Sequence, residues 1–163
     1  MKNRLLGKSF GNIEIAGSIG AAGGLITLWD PKFFIADSKI IADKFIALFG
    51  TLVNCNLRCG IYNVYAPNDP KERKLLFDQL SEVIQSSNSP AILGGDFNAV
   101  LRMEEKTGAS TNRGEISTFC KFLHTNDLMD LPLHGGDFTW FKGGNGGAAS
   151  RIDRFIVAPD NLH

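Results

Sequence analysis

The chain has 163 residues, the size of one domain, and its 44% apolar and 21% charged content fits a folded globular protein and excludes bulk disorder. Lys plus Arg number 17 and so do Asp plus Glu, which excludes the strongly basic character of a dedicated non-specific DNA binder. Cys55, Cys59 and Cys120 show no CxxC spacing, so neither a disulfide framework nor a cysteine zinc site is expected.

In chain order, residues 1–11 hold no apolar stretch like that of a signal peptide. The longest apolar run, residues 45–53, is too short to span a bilayer, so a soluble intracellular chain is expected. Glycines at 17, 20, 23 and 24 punctuate the start, ahead of a short strand at 25–29. Residues 45–53 and 58–65 read as strands joined by a hairpin turn at Asn54, Cys55 and Asn56. The period then changes. Asp69 and Pro70 give an N-cap followed by Pro at the first helical position, and Glu72 completes a capping box. Leu76, Leu80, Val83 and Ile84 follow at helical spacing, which predicts a helix over 70–85. A buried strand is expected at 91–95. A second helix is expected over 114–125, opened by Asn112 and Glu115. Strands at 128–131, 138–141 and 152–157 follow, with a flexible glycine loop at 143–147. Hairpins first, then helix and strand in alternation, point to a layered α/β or α+β fold with mixed sheets.

Three stretches carry chemistry. Strand 91–95 ends in Gly94 and Gly95, then Asp96 and Asn98, two apart and so on one side of an extended segment. A carboxylate there offers a proton acceptor or a metal-binding oxygen, and an amide offers a donor that does not titrate. The same residues also read as an Asx turn closing a strand. Next, Asn63 to Asn68 lead from a strand into a helix N-terminus, where the Tyr65 hydroxyl and the Asn68 amide can donate to a phosphate. The alternative is a core aromatic at 65 and a plain turn former at Pro67. Last, Phe138, Thr139 and Trp140 precede Arg151 to Phe155. Period two sets Asp153 with Arg151 on one face and Arg154 on the other, either to orient a histidine or a cation or as part of an exposed ion-paired strand.

Taken in order, residues 23–29, 63–67, 95–98, 138–140 and 151–155 resemble the endonuclease/exonuclease/phosphatase superfamily of DNase-I-like proteins. With Glu105, Lys106 and residues 128–133 added, the chain resembles in particular the endonuclease domain of plant non-LTR, LINE-type retrotransposons. The resemblance implies a four-layer α/β sandwich of mixed sheets, DNA as partner, a magnesium or manganese ion, and a nuclear location. It implies that Asp96 positions or deprotonates the attacking water and that Asn98 holds the transition-state phosphate. Tyr65 and Asn68 would contact phosphate oxygens, Asp153 would orient the family's catalytic His, and Thr139, Trp140 and Arg151 would lie on the substrate side. Asp96 is the candidate metal ligand. The family's opening Asn strand, its Gln-Glu metal element and its closing Ser-Asp-His element have no match here. Glu14, His124, His134 and His163 do not replace them, so weak or lost activity in this chain is the expectation. The alternatives are a non-catalytic remnant or binding module for nucleic acid or protein, and a phosphatase acting on a small ester.

Overall fold

The structure is a computed structural model that describes residues 11–17, 24–108, 112–144 and 147–159. Gly20, Gly23, His163 and the middle of the 143–147 loop lie outside them.

The apolar run at 45–52 is continuous because both of its faces are covered. In β4 (Phe45–Leu52), Phe45 and Ala47 face one core, while Ile46 and Leu48 face a second. Strand β4 pairs antiparallel with β3 (Phe34–Ile41) and β5 (Leu57–Tyr65). Strand β5 pairs parallel with β6 (Ala91–Asp96), and β10 (Asp153–Val157) pairs antiparallel with β6 and with β7 (Met129–Asp130). The result is a six-stranded mixed sheet in the order β3-β4-β5-β6-β10-β7.

Two helices cover one face. In α1 (Pro70–Ser87), Asp69 caps the start by accepting from the Lys71 and Glu72 amides at 2.9 and 3.0 Å, and Asn88 closes the end in the left-handed conformation. Helix α2 (Arg113–Thr125) starts at Asn112, whose side chain accepts from the Gly114 amide at 2.8 Å. Phe77 of α1 stacks on Phe119 and Phe122 of α2 with ring centroids 5.2 and 4.9 Å apart. These rings, with Leu80, Leu93, Phe97 and Ile156, form the larger core.

A ribbon of β1 (Asn12–Ala16) and β2 (Leu25–Trp29) covers the other face. Its tether is Asn63, whose amide donates to the Ile26 carbonyl and the Thr27 hydroxyl at 3.0 Å each. Glu14 pairs with Lys39 on β3 and takes no part in the cleft described below. The chain therefore has the mixed α/β layers expected of a DNase-I-like fold; of the four layers expected, the described residues show one large mixed sheet, a helical layer on one face and the two-stranded ribbon on the other, with a second two-stranded sheet beside them.

Both helices and the strands at 25–29, 45–53, 58–65, 91–95 and 152–157 agree with expectation to within a few residues. So does the turn between β4 and β5, where Asn56 takes the left-handed φ of 53°. The strands at 128–131 and 138–141 are shorter than expected: Met129–Asp130 and β8 (Trp140–Phe141), which pairs with β9 (Ala149–Ser150). Strands β1, β3 and β9 and the 3-10 turn Met103–Glu105 were not expected from the pattern. All three cysteines are free thiols, and among the described residues no helix is long and apolar enough to cross a membrane.

Candidate active site

Strands β5 and β6 run parallel, so their carboxyl ends finish side by side, where open α/β sheets receive ligands. Tyr65 sits opposite Asp96 in that pair, and Asp96 sits opposite Asp153 across β6 and β10. Residues paired across strands share a face, so Tyr65, Asp96 and Asp153 form a row over three strands. Gly95 permits the close approach. Its φ is +141°, and a side chain there would begin 2.0 Å from the Val64 carbonyl oxygen. At Gly94 the Phe155 ring takes the place of a side chain.

Asp96 and Asn98 are arranged by two local bonds. The Asn98 backbone amide donates to Asp96 Oδ1 at 2.8 Å, which is the Asx turn foreseen as the plainer alternative. The Asn98 side-chain amide donates to the Ala66 carbonyl at 2.7 Å, tying the turn after β6 to the exit of β5. Asn98 stands at φ 47°, a conformation that Asn adopts more readily than most residues. Burial pushes the Asp96 carboxyl above its usual pKa. The Asn98 amide and the Arg73 charge act against this shift, and the neighbouring Asp153 charge adds to it. Replacing Asp153 with Asn therefore lowers the pKa of Asp96, to be read by NMR titration of its carboxyl carbon. An unmoved titration would mean that the two carboxylates do not sense each other.

A cleft of about 670 Å³ opens at this end of the sheet. Tyr65, Asn68, Asp96, Asn98 and Trp140 all line it, so five of the eight residues singled out from sequence come together. Trp140 is 44% exposed on its rim. Residues that the sequence reading did not assign to the site line it too, among them Arg73, Lys106, Asn112, Glu115 and Lys142.

Thr139, Arg151 and Asp153 line an adjoining groove with Leu133 and Phe155. Thr139 Oγ1 accepts from the Ile152 and Asp153 amides at 3.1 and 3.0 Å, so it fixes the backbone of Asp153. Arg151 lines one groove with Asp153, as period two has it, but it is not separated from Arg154. Strand β10 starts at Asp153, so Arg151 precedes the alternation and turns to the same carboxylates as Arg154. Its guanidinium meets Asp130 at 2.9 Å, Glu105 at 3.5 Å and the Leu131 carbonyl at 2.7 Å, which commits the charge expected to meet substrate. Arg154, fully buried at its side chain, bonds Asp130 at 2.8 Å and also Glu105, and its guanidinium lies 5.6 Å from the Phe119 ring centre. Two arginines and two acids thus form a charge-balanced quartet under the site.

The quartet's acids respond in opposite directions. Burial raises both. In Glu105 it is outweighed by the Arg154 hydrogen bond, the Leu101 amide and the two arginine charges, so that pKa falls below its usual value. In Asp130 burial prevails, consistent with its Oδ1 having no hydrogen-bond partner among the described residues.

Among the described residues no group of three or more acids, histidines or cysteines could hold a metal. Asp96 and Asp153 are hard oxygen donors, the kind with which magnesium binds through one or two carboxylates, waters and substrate phosphate. His124 and His134 are exposed, on α2 and on a loop, and neither lines the cleft.

The profile of the Endonuclease/Exonuclease/phosphatase family matches residues 4–163. The chain belongs to that family. No curated protein matches it. Among solved structures, it is similar to the endonuclease domain of TRAS1, a telomere-specific non-LTR retrotransposon, at 18% identity and a TM-score of 0.66, covering 92% of this chain and 68% of that one. It is similar to the AP endonuclease LMAP of Leishmania major at 13% identity and 0.68, covering 91% and 62%. A third likeness is to the 3′ phosphatase NExo from Neisseria bound to a product DNA hairpin, at 18% identity and 0.64, covering 84% and 63%. At such identities the likeness is one of fold. As a member of the family the chain has a nuclease or phosphatase type of fold, and it spans about two thirds of these structures' length.

Proposed function

We propose that this chain is the endonuclease domain of a retrotransposon-derived protein, hydrolysing phosphodiester bonds in DNA with a divalent metal ion and acting in the nucleus. The observation that carries this reading is the meeting of Tyr65, Asn68, Asp96 and Asn98 in one cleft at the ends of a parallel strand pair. Family membership and the likeness to nuclease folds support it.

Asp96, with Asp153 beside it, would hold the ion, and a bound ion supplies charge neutralisation at the phosphate oxygens. The chain's own side chains do the rest. Asp96 takes the proton of the attacking water. Asn98 keeps one N–H beyond the one bonded to Ala66, and this donates to the phosphate as charge builds there. The Tyr65 hydroxyl and the Asn68 amide donate to the remaining oxygens and fix the phosphate in line with the water.

The test is conversion of supercoiled plasmid to open circle. Weak nicking with magnesium that stops on chelation and returns on adding the ion is the expected result. Hydrolysis of a small phosphate ester without nicking would overturn the assignment to DNA. Neither activity would overturn the catalytic reading.

A further inference from the structure

We infer that Arg73 is a positioning residue, which holds the turn carrying Tyr65 and Asn68 against the cleft and locks that turn to the start of α2. Its catalytic consequence rests on the function proposed above; its structural consequence does not.

Arg73 is only 4% exposed, a burial that arginine tolerates when it is paired. It stands one turn before Leu76 and Phe77 and two before Leu80, so it occupies the stripe of α1 that packs inward. From there one guanidinium joins three pieces of chain. Nη1 donates to the Asn68 carbonyl at 2.9 Å and the Pro67 carbonyl at 3.3 Å. Nη2 bonds Glu115 in the first turn of α2. The Pro67–Asn68 stretch follows directly on Tyr65 and Ala66, and Ala66 is where Asn98 anchors its side chain. Glu115 and Asn112, from the start of α2, line the same cleft as Asn68. The spacing between these walls therefore passes through Arg73. A planar fork of donors makes these contacts at once, which a lysine ammonium cannot do in the same geometry. Its positive charge also acts on the Asp96 carboxyl, against the effect of burial.

The test uses the full chain with Arg73→Lys and Arg73→Gln. Hydrogen exchange should accelerate at least tenfold over residues 65–69 while the amides of β4 keep their protection. In plasmid nicking, kcat should fall on the order of 10²-fold with KM little changed, as for a small misplacement of reacting groups. Asn68→Ala should lower kcat in the parent chain yet add little in the Arg73→Lys background, because the two act on one element. Unchanged exchange over 65–69, or equal acceleration there and in β4, overturns the inference, and so does full additivity with Asn68→Ala. If Arg73→Gln does not fold, Arg73→Lys decides. If the parent chain does not nick, the proposed function fails and the exchange measurement alone decides the role of Arg73.

Discussion

Arg154→Met destabilises the folded chain by about 3–5 kcal/mol, as removal of one partner from a buried ion network does, and lowers the thermal midpoint on the order of 10 °C. The side chain is fully buried and bonds both acids of the quartet, and it reaches the Arg151 carbonyl at 3.0 Å. Methionine fills much of the volume, so the loss comes from charge and hydrogen bonding rather than from a cavity. What remains is Glu105 and Asp130 sharing Arg151, one excess negative charge in a nearly dry setting.

The loss depends on pH, and its sign follows from the quartet. In the parent chain Glu105 is held below its usual pKa, so it contributes stability above the unfolded pKa that fades as pH falls through the folded one. Without Arg154, burial lifts Glu105 as it already lifts Asp130, and both then bind protons more readily folded than unfolded. The variant therefore gains stability relative to the parent as pH falls. Urea unfolding should show a smaller difference between the two at pH 5 than at pH 7. An equal difference at both would mean that the uncompensated charge is not the cause.

How much of this was legible in the sequence depends on how local each signal is. Helix α1 is written in contiguous residues: a cap at Asp69, Pro at the next position, and an apolar stripe. Strands β4 and β5 are buried on both faces, and their apolar runs say so. Strand β3 is an edge strand with a register shift between Ala36 and Ser38, and most of its side chains face water, so no alternation survives to be read. Glu115 reads as a capping residue by its spacing from Asn112, yet it serves Arg73, 42 residues earlier, because tertiary pairing outbids a local bond. A signal for Arg73 did exist. A charged residue at the 3, 4, 7 spacing ahead of Leu76, Phe77 and Leu80 breaks an apolar stripe and asks for a buried partner. That Arg151 meets the same acids as Arg154 was not legible, because period two holds only inside a strand, and β10 begins two residues later.

Asp96→Asn should leave a folded chain whose nicking rate is reduced by about 10²- to 10⁴-fold, the usual range for loss of a general base. Asparagine is close to isosteric and keeps an oxygen to accept the Asn98 amide, so the Asx turn and the anchor at Ala66 persist. Only the ability to take a proton, and the negative charge, are removed. The fold disfavours that charge, since burial and the adjacent Asp153 both push the carboxyl toward its neutral form. Neutralising it should therefore leave the thermal midpoint unchanged or slightly higher at pH 7. A dead but equally stable variant separates a chemical role from a structural one, which a variant that merely misfolds cannot do. The same logic distinguishes position 96 from position 98, where Asn98→Ala removes a bond between two strand exits and should cost stability as well as rate. Nicking by Asp96→Asn at the parent rate would place the base elsewhere in the cleft, and a collapsed midpoint would make Asp96 a structural residue.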